Sequence, residues 1–197
     1  MTFARFTALS TVTAAALAIG FSAPGFAQMA GMQARAEKTV QVGGAPMYPS
    51  KNIVQNAINS RDHTTLVAAV KAAGLVDTLQ SAGPFTVFAP TDAAFARLPA
   101  GAVDTLLQPA NLDQLRAVLT YHVVAGEVTS AELVEMIRTN GGQAVIKTVQ
   151  GATITARLAD GGVEITDTSG GTARVTQADL VQSNGVIHVT DAVFLPR

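Results

Sequence analysis

The chain has 197 residues and a formal net charge of −1, a length that fits one domain plus a tail or processed segment. Hydrophobic residues make up 48%, which can supply a packed core and argues against wholesale disorder. The lack of cysteine excludes disulfides, thiolate zinc sites and a cysteine nucleophile, and the near-neutral charge disfavours binding led by nucleic-acid phosphates.

The first 27 residues have the pattern of a secretory signal peptide. Arg5 supplies the positive start, an apolar run covers about 6–21, and Ala27 ends a small-residue cleavage site. The alternative, a membrane-anchoring helix, needs roughly 20 apolar residues, and this run is shorter. We therefore predict that residues 1–27 are removed, that the protein is periplasmic or secreted, and that no integral membrane segment remains.

Residues 28–49 show no sustained hydrophobic period and contain Gly43, Gly44, Pro46 and Pro49 near their end. This pattern predicts a flexible spacer ahead of a folded domain at 50–197. The domain opens with a predicted helix after Asp62, in which apolar residues recur at helical spacing. Gly74 is placed to end that helix in a left-handed turn.

A buried strand is predicted at 84–90, a short run of apolar residues and β-formers bounded by prolines. Thr91 or Asp92 can cap the helix that follows it. A capping role accounts for both side chains, while the functional alternative is a polar rim beside an apolar patch.

Two later segments have the spacing of a capping box, in which the N-cap side chain and the side chain three residues on bond each other's backbone. The first is Asn111 with Gln114, and the second is Thr129 with Glu132. Both precede leucine-rich helical patterns, so each predicts a helix N-terminus.

The second half of the chain changes to alternating apolar and polar residues, with glycine-containing turns between the runs. This period-two pattern predicts strands that form an antiparallel meander with one buried face. The chain therefore has the pattern of an α+β protein, with helices first and a C-terminal meander. The predicted strands are 144–149, 152–158, 163–167, 172–176 and a last one at 186–194.

Three segments stand out in order along the chain: the run from Thr86 to Phe95 (TVFAPTDAAF), the pair Tyr121-His122, and the run from Asn184 to Asp191 (NGVIHVTD). Together, in this order, they resemble the fasciclin domains. The resemblance spans about 50–197. It implies a compact β-sandwich or wedge with helices packed along it, and an extracellular module for adhesion or protein association that has no catalytic centre.

The same resemblance implies possible partner contacts. Vertebrate members carry an integrin-related Asp-Ile motif, whose counterpart here is Asp179-Leu180. Tyr121-His122 matches a pair proposed for adhesion in the family. The helical spacing of His122 behind Leu119 favours a core histidine, bonded locally to the loop around 90–92, over a contact residue. With Asp92, these residues form the predicted contact set.

Catalytic and metal chemistry find little support in the sequence. The three histidines, His63, His122 and His188, lack the short spacing that places two ligands on one helix face. The chain has no Gly-x-Ser-x-Gly elbow and no glycine-rich phosphate loop. Scattered basic residues with no tryptophan disfavour nucleic-acid binding. We expect no enzyme activity, no metal and no cofactor.

Two functions remain. The first is a secreted, non-enzymatic module that binds an extracellular protein or polysaccharide, with its patch where the 91–107 helices meet the turn at 121–122. The alternative is a small carrier of apolar ligands, which predicts a cavity of roughly 300 Å³ or more. Side chains such as Phe95, Leu106 and Leu115 would line that cavity.

Overall fold

A computed structural model of the protein describes residues 39–196. The predicted signal peptide and the first part of the predicted spacer, at 28–38, lie outside the described residues. No helix within 39–196 is long and apolar enough to cross a membrane.

After an amino-terminal pair of short strands, the described part has most of its helices in the first half and most of its strands in the second, as expected. The helices are α1 (Ile53–Ala57), α2 (Thr64–Ala72), α3 (Val76–Gln80), α4 (Asp92–Ala96), α5 (Ala102–Leu106), a 3-10 turn (Pro109–Asn111), α6 (Leu112–Tyr121) and α7 (Ser130–Thr139). The strands are β1 (Val40–Val42), β2 (Ala45–Met47), β3 (Phe85–Pro90), β4 (Val123–Ala125), β5 (Gln143–Lys147), β6 (Thr153–Ala159), β7 (Gly162–Thr166), β8 (Thr172–Gln182) and β9 (Gly185–Thr190).

Strands β3 to β9 form one seven-stranded sheet in the order β4-β3-β9-β8-β7-β6-β5. The predicted meander is confirmed, because β5 to β8 pair antiparallel in chain order. The last strand, β9, returns to the centre and pairs in parallel with β3. Beyond β5, the amides of Val149 and Gln150 donate to carbonyls of Val123 and Thr120, so the sheet nearly closes on itself.

The sheet centre is covered on both faces, which explains the continuous apolar run of β3. Val87 and Ala89 face a core shared with α1, α2, α3 and α6. Phe88 faces the opposite core, which is shared with α7 and the meander. The α+β class and the expected wedge of helices along a sheet are therefore confirmed.

The end of the predicted spacer is an ordered hairpin, which corrects that prediction for 40–47. β1 and β2 pair antiparallel around Gly43 and Gly44, and Val42 and Met47 are buried in the helix-side core. The buried Asn56 amide accepts from the Tyr48 amide and donates to its carbonyl, which ties the hairpin exit to α1. The folded body therefore begins at least ten residues before the predicted boundary at 50.

Local capping was predicted with mixed success. The box of Thr129 and Glu132 is confirmed, with both reciprocal bonds present at the start of α7. The box of Asn111 and Gln114 is wrong, because the Asn111 side chain donates instead to the Thr105 carbonyl, 2.7 Å away. A 3-10 turn at Pro109–Asn111 leads directly into α6, so Asn111 is the last residue of that turn.

Two predicted strand boundaries also need correction. β8 extends to Gln182, well past the predicted end at 176, with register shifts against β9 between 175 and 180. The shifts break the simple alternation, which is why the period-two pattern fades there. The last strand ends at Thr190 instead of 194.

Candidate functional site

Tyr121, at the end of α6, is a fully buried core residue. Its hydroxyl donates to the Thr153 carbonyl at 2.9 Å and accepts from the Thr168 amide at 3.0 Å. The residue thus joins α6 to β6 and to the turn between β7 and β8. Its hydroxyl has both a donor and an acceptor partner inside the protein.

His122 follows as the C-cap of α6 and is 2% exposed. Its Nδ1–H donates to the Val118 carbonyl at 2.8 Å, and its Nε2 accepts from the Phe194 amide at 2.9 Å. The predicted core role fits this placement, but the predicted partner loop at 90–92 is wrong. Burial lowers the pKa of His122 to about 4, although the Val118 bond and the Asp167 carboxylate both raise it.

Asp92 caps a helix, but not the one that it begins. Its carboxylate accepts from the Thr64 amide at 3.2 Å, the Thr64 hydroxyl at 2.6 Å and the Thr65 amide at 2.8 Å, all at the start of α2. Thr91 caps α4 through the Ala94 amide. Partial burial raises the pKa of Asp92, but the bonds from Thr64 and Thr65 outweigh it, so the net shift is downward.

We expect Asp92→Ala to lower the free energy of unfolding by about 1–2 kcal/mol at pH 7, the usual effect of losing an N-cap. Because the pKa of Asp92 is lowered on folding, this contribution is present above its ordinary value of 3.8 and is lost as the pH falls below it. Urea unfolding at pH 7 and at lower pH measures both effects. Asp113→Ala is the control, since the Asp113 side chain is fully exposed. A loss equal to that of the control would contradict the capping role.

Asp179 and Leu180 lie in the irregular part of β8. Asp179 is exposed and has a left-handed backbone, with φ of 57°. Its carboxylate accepts from the amide of Ser130 at 2.7 Å and from the Ser130 hydroxyl, at the start of α7. Leu180 is 2% exposed and pairs with Ile187 of β9.

These positions correct the predicted contact set. The side chains of Tyr121, His122 and Leu180 are buried, so they offer no surface to a partner. Asp92 and Asp179 reach the surface, but both carboxylates are engaged at helix N-termini. The five residues hold the body together and do not converge on one site.

Ser60, which the sequence analysis did not consider, lies in contact with His63. The Ser60 hydroxyl is 2.8 Å from Nδ1 of His63. Burial lowers the pKa of His63 overall, although the nearby carboxylates of Asp62 and Asp92 raise it. Nε2 of His63 makes no hydrogen bond of good geometry. The Ala89 carbonyl is nevertheless close enough to raise the pKa of His63. Both side chains are at most 3% exposed, so a substrate has no access to them.

An open cleft of about 670 Å³ lies between α5, α6 and the last described residues. Leu98 and Leu106 line it beside α5, Val118 lines it from α6, and Leu195 and Pro196 line it from the carboxyl-terminal residues. α5 has no buried residue, so its apolar side chains stay half exposed. The cleft borders the 91–107 helices, as the predicted patch does, but it is not lined by the Tyr121-His122 turn, and its walls from 169 and 195–196 were not predicted.

The cavity predicted for an apolar carrier does not form at the predicted side chains. Phe95 and Leu115 are packed in the core, and Leu106 lines the open cleft. A different apolar cavity, between α1–α3 and β3–β4, measures about 70 Å³. This is about half of the roughly 150 Å³ that holds a benzene molecule in an engineered core, so an acyl chain does not fit.

Within 39–196, no group of three or more histidine, aspartate or glutamate residues is placed to hold a metal ion. His188 illustrates why. Its Nε2–H donates to the Val128 carbonyl at 2.8 Å, and its Nδ1 accepts from the Asp179 amide at 3.4 Å. Both ring nitrogens of His188 are therefore engaged in hydrogen bonds within the fold.

The family model for the fasciclin domain matches residues 61–196 of the chain. Protein sll1483 of Synechocystis sp. is 43% identical over 195 residues, which cover 99% of this chain and 98% of that protein. Immunogenic protein MPB70 of Mycobacterium bovis is 36% identical over 145 residues, which cover 71% of this chain and 66% of that protein.

A solved structure has the same fold. It is a FAS1 domain pair from the insect cell adhesion molecule fasciclin I, with a TM-score of 0.68 and 20% identity. The match covers 75% of this chain and 52% of the pair. The fold, the ordered segments and the family match agree, and the chain belongs to the fasciclin domain family, whose members are non-enzymatic adhesion and extracellular modules.

Proposed function

We propose that the protein is an exported, non-enzymatic module that binds an extracellular protein through the cleft between α5, α6 and the carboxyl-terminal residues. Its family membership and the signal-like pattern of residues 1–27 support export. The fasciclin I relative is described as a cell adhesion molecule, which supports a role in association. The observation that carries the proposal is the cleft itself.

The chemistry of the cleft favours a protein partner over a polysaccharide. The lining is largely aliphatic, and its polar side chains are Thr105, Gln114 and Ser169. Protein interfaces bury apolar side chains at their centre and keep polar groups at the rim. A sugar chain needs a denser set of hydrogen-bonding groups, so we expect it to bind weakly here.

A capture experiment with matched variants tests this proposal. The mature protein is used as bait against envelope and matrix fractions of the source organism, beside Leu106→Gln in the cleft. We expect the variant to lose at least tenfold in capture, because an interface loses 1.4 kcal/mol or more when an apolar anchor is removed. Leu106 is only partly buried, so the melting temperature should change little.

Val145→Gln is the control, because Val145 is 64% exposed on the edge strand β5 and does not line the cleft. It should capture as well as the wild type. Equal capture by Leu106→Gln, or loss of capture with Val145→Gln, would show that the partner uses another surface. Capture of polysaccharide in place of protein would refute the partner class.

A further inference from the structure

The residues that follow β9, 192–196, form a strap across one end of the meander-side core. Phe194 is 1% exposed, and its ring lies 4.8 Å from the ring of His122 in a stacked arrangement. The rings of Phe88 and Tyr121 meet it edge-on at 5.9 and 6.5 Å. The strap is therefore anchored by one aromatic side chain and is not part of a strand.

Two consecutive amides of the strap bind ionisable side chains. The Phe194 amide donates to Nε2 of His122 at 2.9 Å, and the Leu195 amide donates to Oδ2 of Asp167 at 3.0 Å. The Ser169 hydroxyl adds a bond to the Leu195 carbonyl at 3.1 Å. Backbone groups of the strap are thus held by side chains from α6 and from the turn between β7 and β8.

The bond to His122 requires a neutral ring. Nδ1 carries its hydrogen to the Val118 carbonyl, so Nε2 accepts from Phe194 only while it has a free lone pair. A second proton on the ring would point at the Phe194 amide and remove the acceptor. Protonation of this one side chain therefore breaks the hydrogen bond that holds the Phe194 backbone in place.

Three other ionisable side chains of the described residues lie around the His122 ring or the aromatic cluster that it joins. Asp167, from the turn between β7 and β8, faces His122 and favours its protonated form. The Tyr121 hydroxyl is engaged by Thr153 and Thr168. His188 stacks on the Phe88 ring at 5.5 Å, and both of its nitrogens are bonded.

We propose that residues 192–196 are an acid-released strap, and that protonation of His122 opens one wall of the cleft. Leu195 and Pro196 line the cleft, as does Ser169, which bonds the strap. Release would remove that wall while the central strands remain paired. The effect on a partner rests on the proposed function, whereas the release itself does not.

The expected size of the effect follows from linkage. The pKa of His122 is about 4 in the closed state and 6.5 for a ring in water, so acid favours the open strap between these values. The open fraction should rise about 30-fold between pH 8 and pH 5. The total rise of the open fraction, relative to pH 8, should not exceed about 300-fold at any lower pH.

Amide hydrogen exchange of the intact protein, read by NMR between pH 8 and pH 5, tests the release. Rates are corrected for the intrinsic pH dependence of exchange. We expect protection of the Phe194 and Leu195 amides to fall about 30-fold. The Phe88 amide, which bonds the His122 carbonyl in the sheet, should keep its protection.

The matched variant is His122→Gln, whose amide oxygen can accept from Phe194 and does not titrate in this range. Its strap protection should be independent of pH. If the variant does not fold, the wild type still decides when the series is extended to about pH 3.5: strap exchange must start to rise near pH 6.5 and level off where the imidazole resonances of His122 titrate, at about pH 4.

Strap exchange that levels off away from the His122 titration, parallel loss of Phe88 protection, or a pH dependence retained in His122→Gln would overturn the proposal. A second arm repeats the capture experiment at pH 7.5 and pH 5. Capture that weakens at pH 5 in the wild type, and not in His122→Gln, supports coupling of the strap to the cleft. Unchanged capture would refute that coupling, and complete absence of capture by the cleft would refute the proposed function instead.

Discussion

Val87→Asp is expected to unfold the protein at neutral pH. Val87 is 6% exposed in the middle of β3, paired with Val123 of β4 on one side and Ile187 of β9 on the other. A carboxylate there faces the apolar side chains of the helix-side core, and burial of a charge among them costs several kcal/mol. Domains are commonly stable by only about 5–15 kcal/mol. Circular dichroism and thermal melting measure the loss.

The same change at an exposed strand position is the control. Val145→Asp lies on the edge strand β5, where Val145 is 64% exposed, and its melting temperature should stay within a few degrees of the wild type. A folded Val87→Asp protein with a normal melting temperature would contradict the central placement of β3. Unfolding of both variants would mean that any new carboxylate in the sheet is harmful, whatever its burial.

The meander and the central strand could be predicted because their signals are local. Ile154 and Ile165 alternate with polar neighbours, and both are fully buried on the inner face of the sheet. The run at 84–90 lacks alternation, and its strand is buried on both faces. In each case the burial pattern follows directly from the positions of side chains along one strand.

The amino-terminal hairpin could not be predicted in the same way. Its strands have three residues each, too few to show a period. What holds it is distant in sequence: Asn56 bonds the backbone of Tyr48 and also donates to the side chain of Gln182 in β8. The glycines and prolines at 43–49 correctly indicated a turn, but only the tertiary structure shows that the hairpin packs on the helix-side core.

The sequence indicated one side of the candidate site, the 91–107 helices, but not the residues that complete it. Helical spacing placed His122 in the core, and the structure agrees. Asp92 was assigned to the helix that it starts, although its carboxylate caps α2, whose N-terminus lies 28 residues earlier. The strap wall of the cleft was missed because Leu195 reaches α5 and α6 only through the tertiary fold.

Asn184→Ala is expected to lower the free energy of unfolding by about 2–3 kcal/mol. The Asn184 side chain joins three segments at the start of β9. Its Oδ1 accepts from the Ile53 amide at 3.0 Å, and its Nδ2 donates to the carbonyls of Leu79 at 2.8 Å and Ser81 at 3.1 Å. Alanine leaves the first amide of α1 and the last carbonyls around α3 without these partners.

We expect water to restore only part of the lost stability, because the Asn184 side chain also links the start of α1 and the end of α3 to the start of β9. The next residue, Gly185, has its backbone against the Phe85 carbonyl, with no room for a Cβ atom, so the turn cannot move away to compensate. Asn59→Ala is the matched control: Asn59 is exposed and makes one bond, to the Gln55 carbonyl at 3.0 Å. Its effect on urea unfolding should be within about 0.5 kcal/mol. Equal stability of the two variants would show that solvent satisfies the groups around Asn184, and that the closing segment is held by its apolar strand alone.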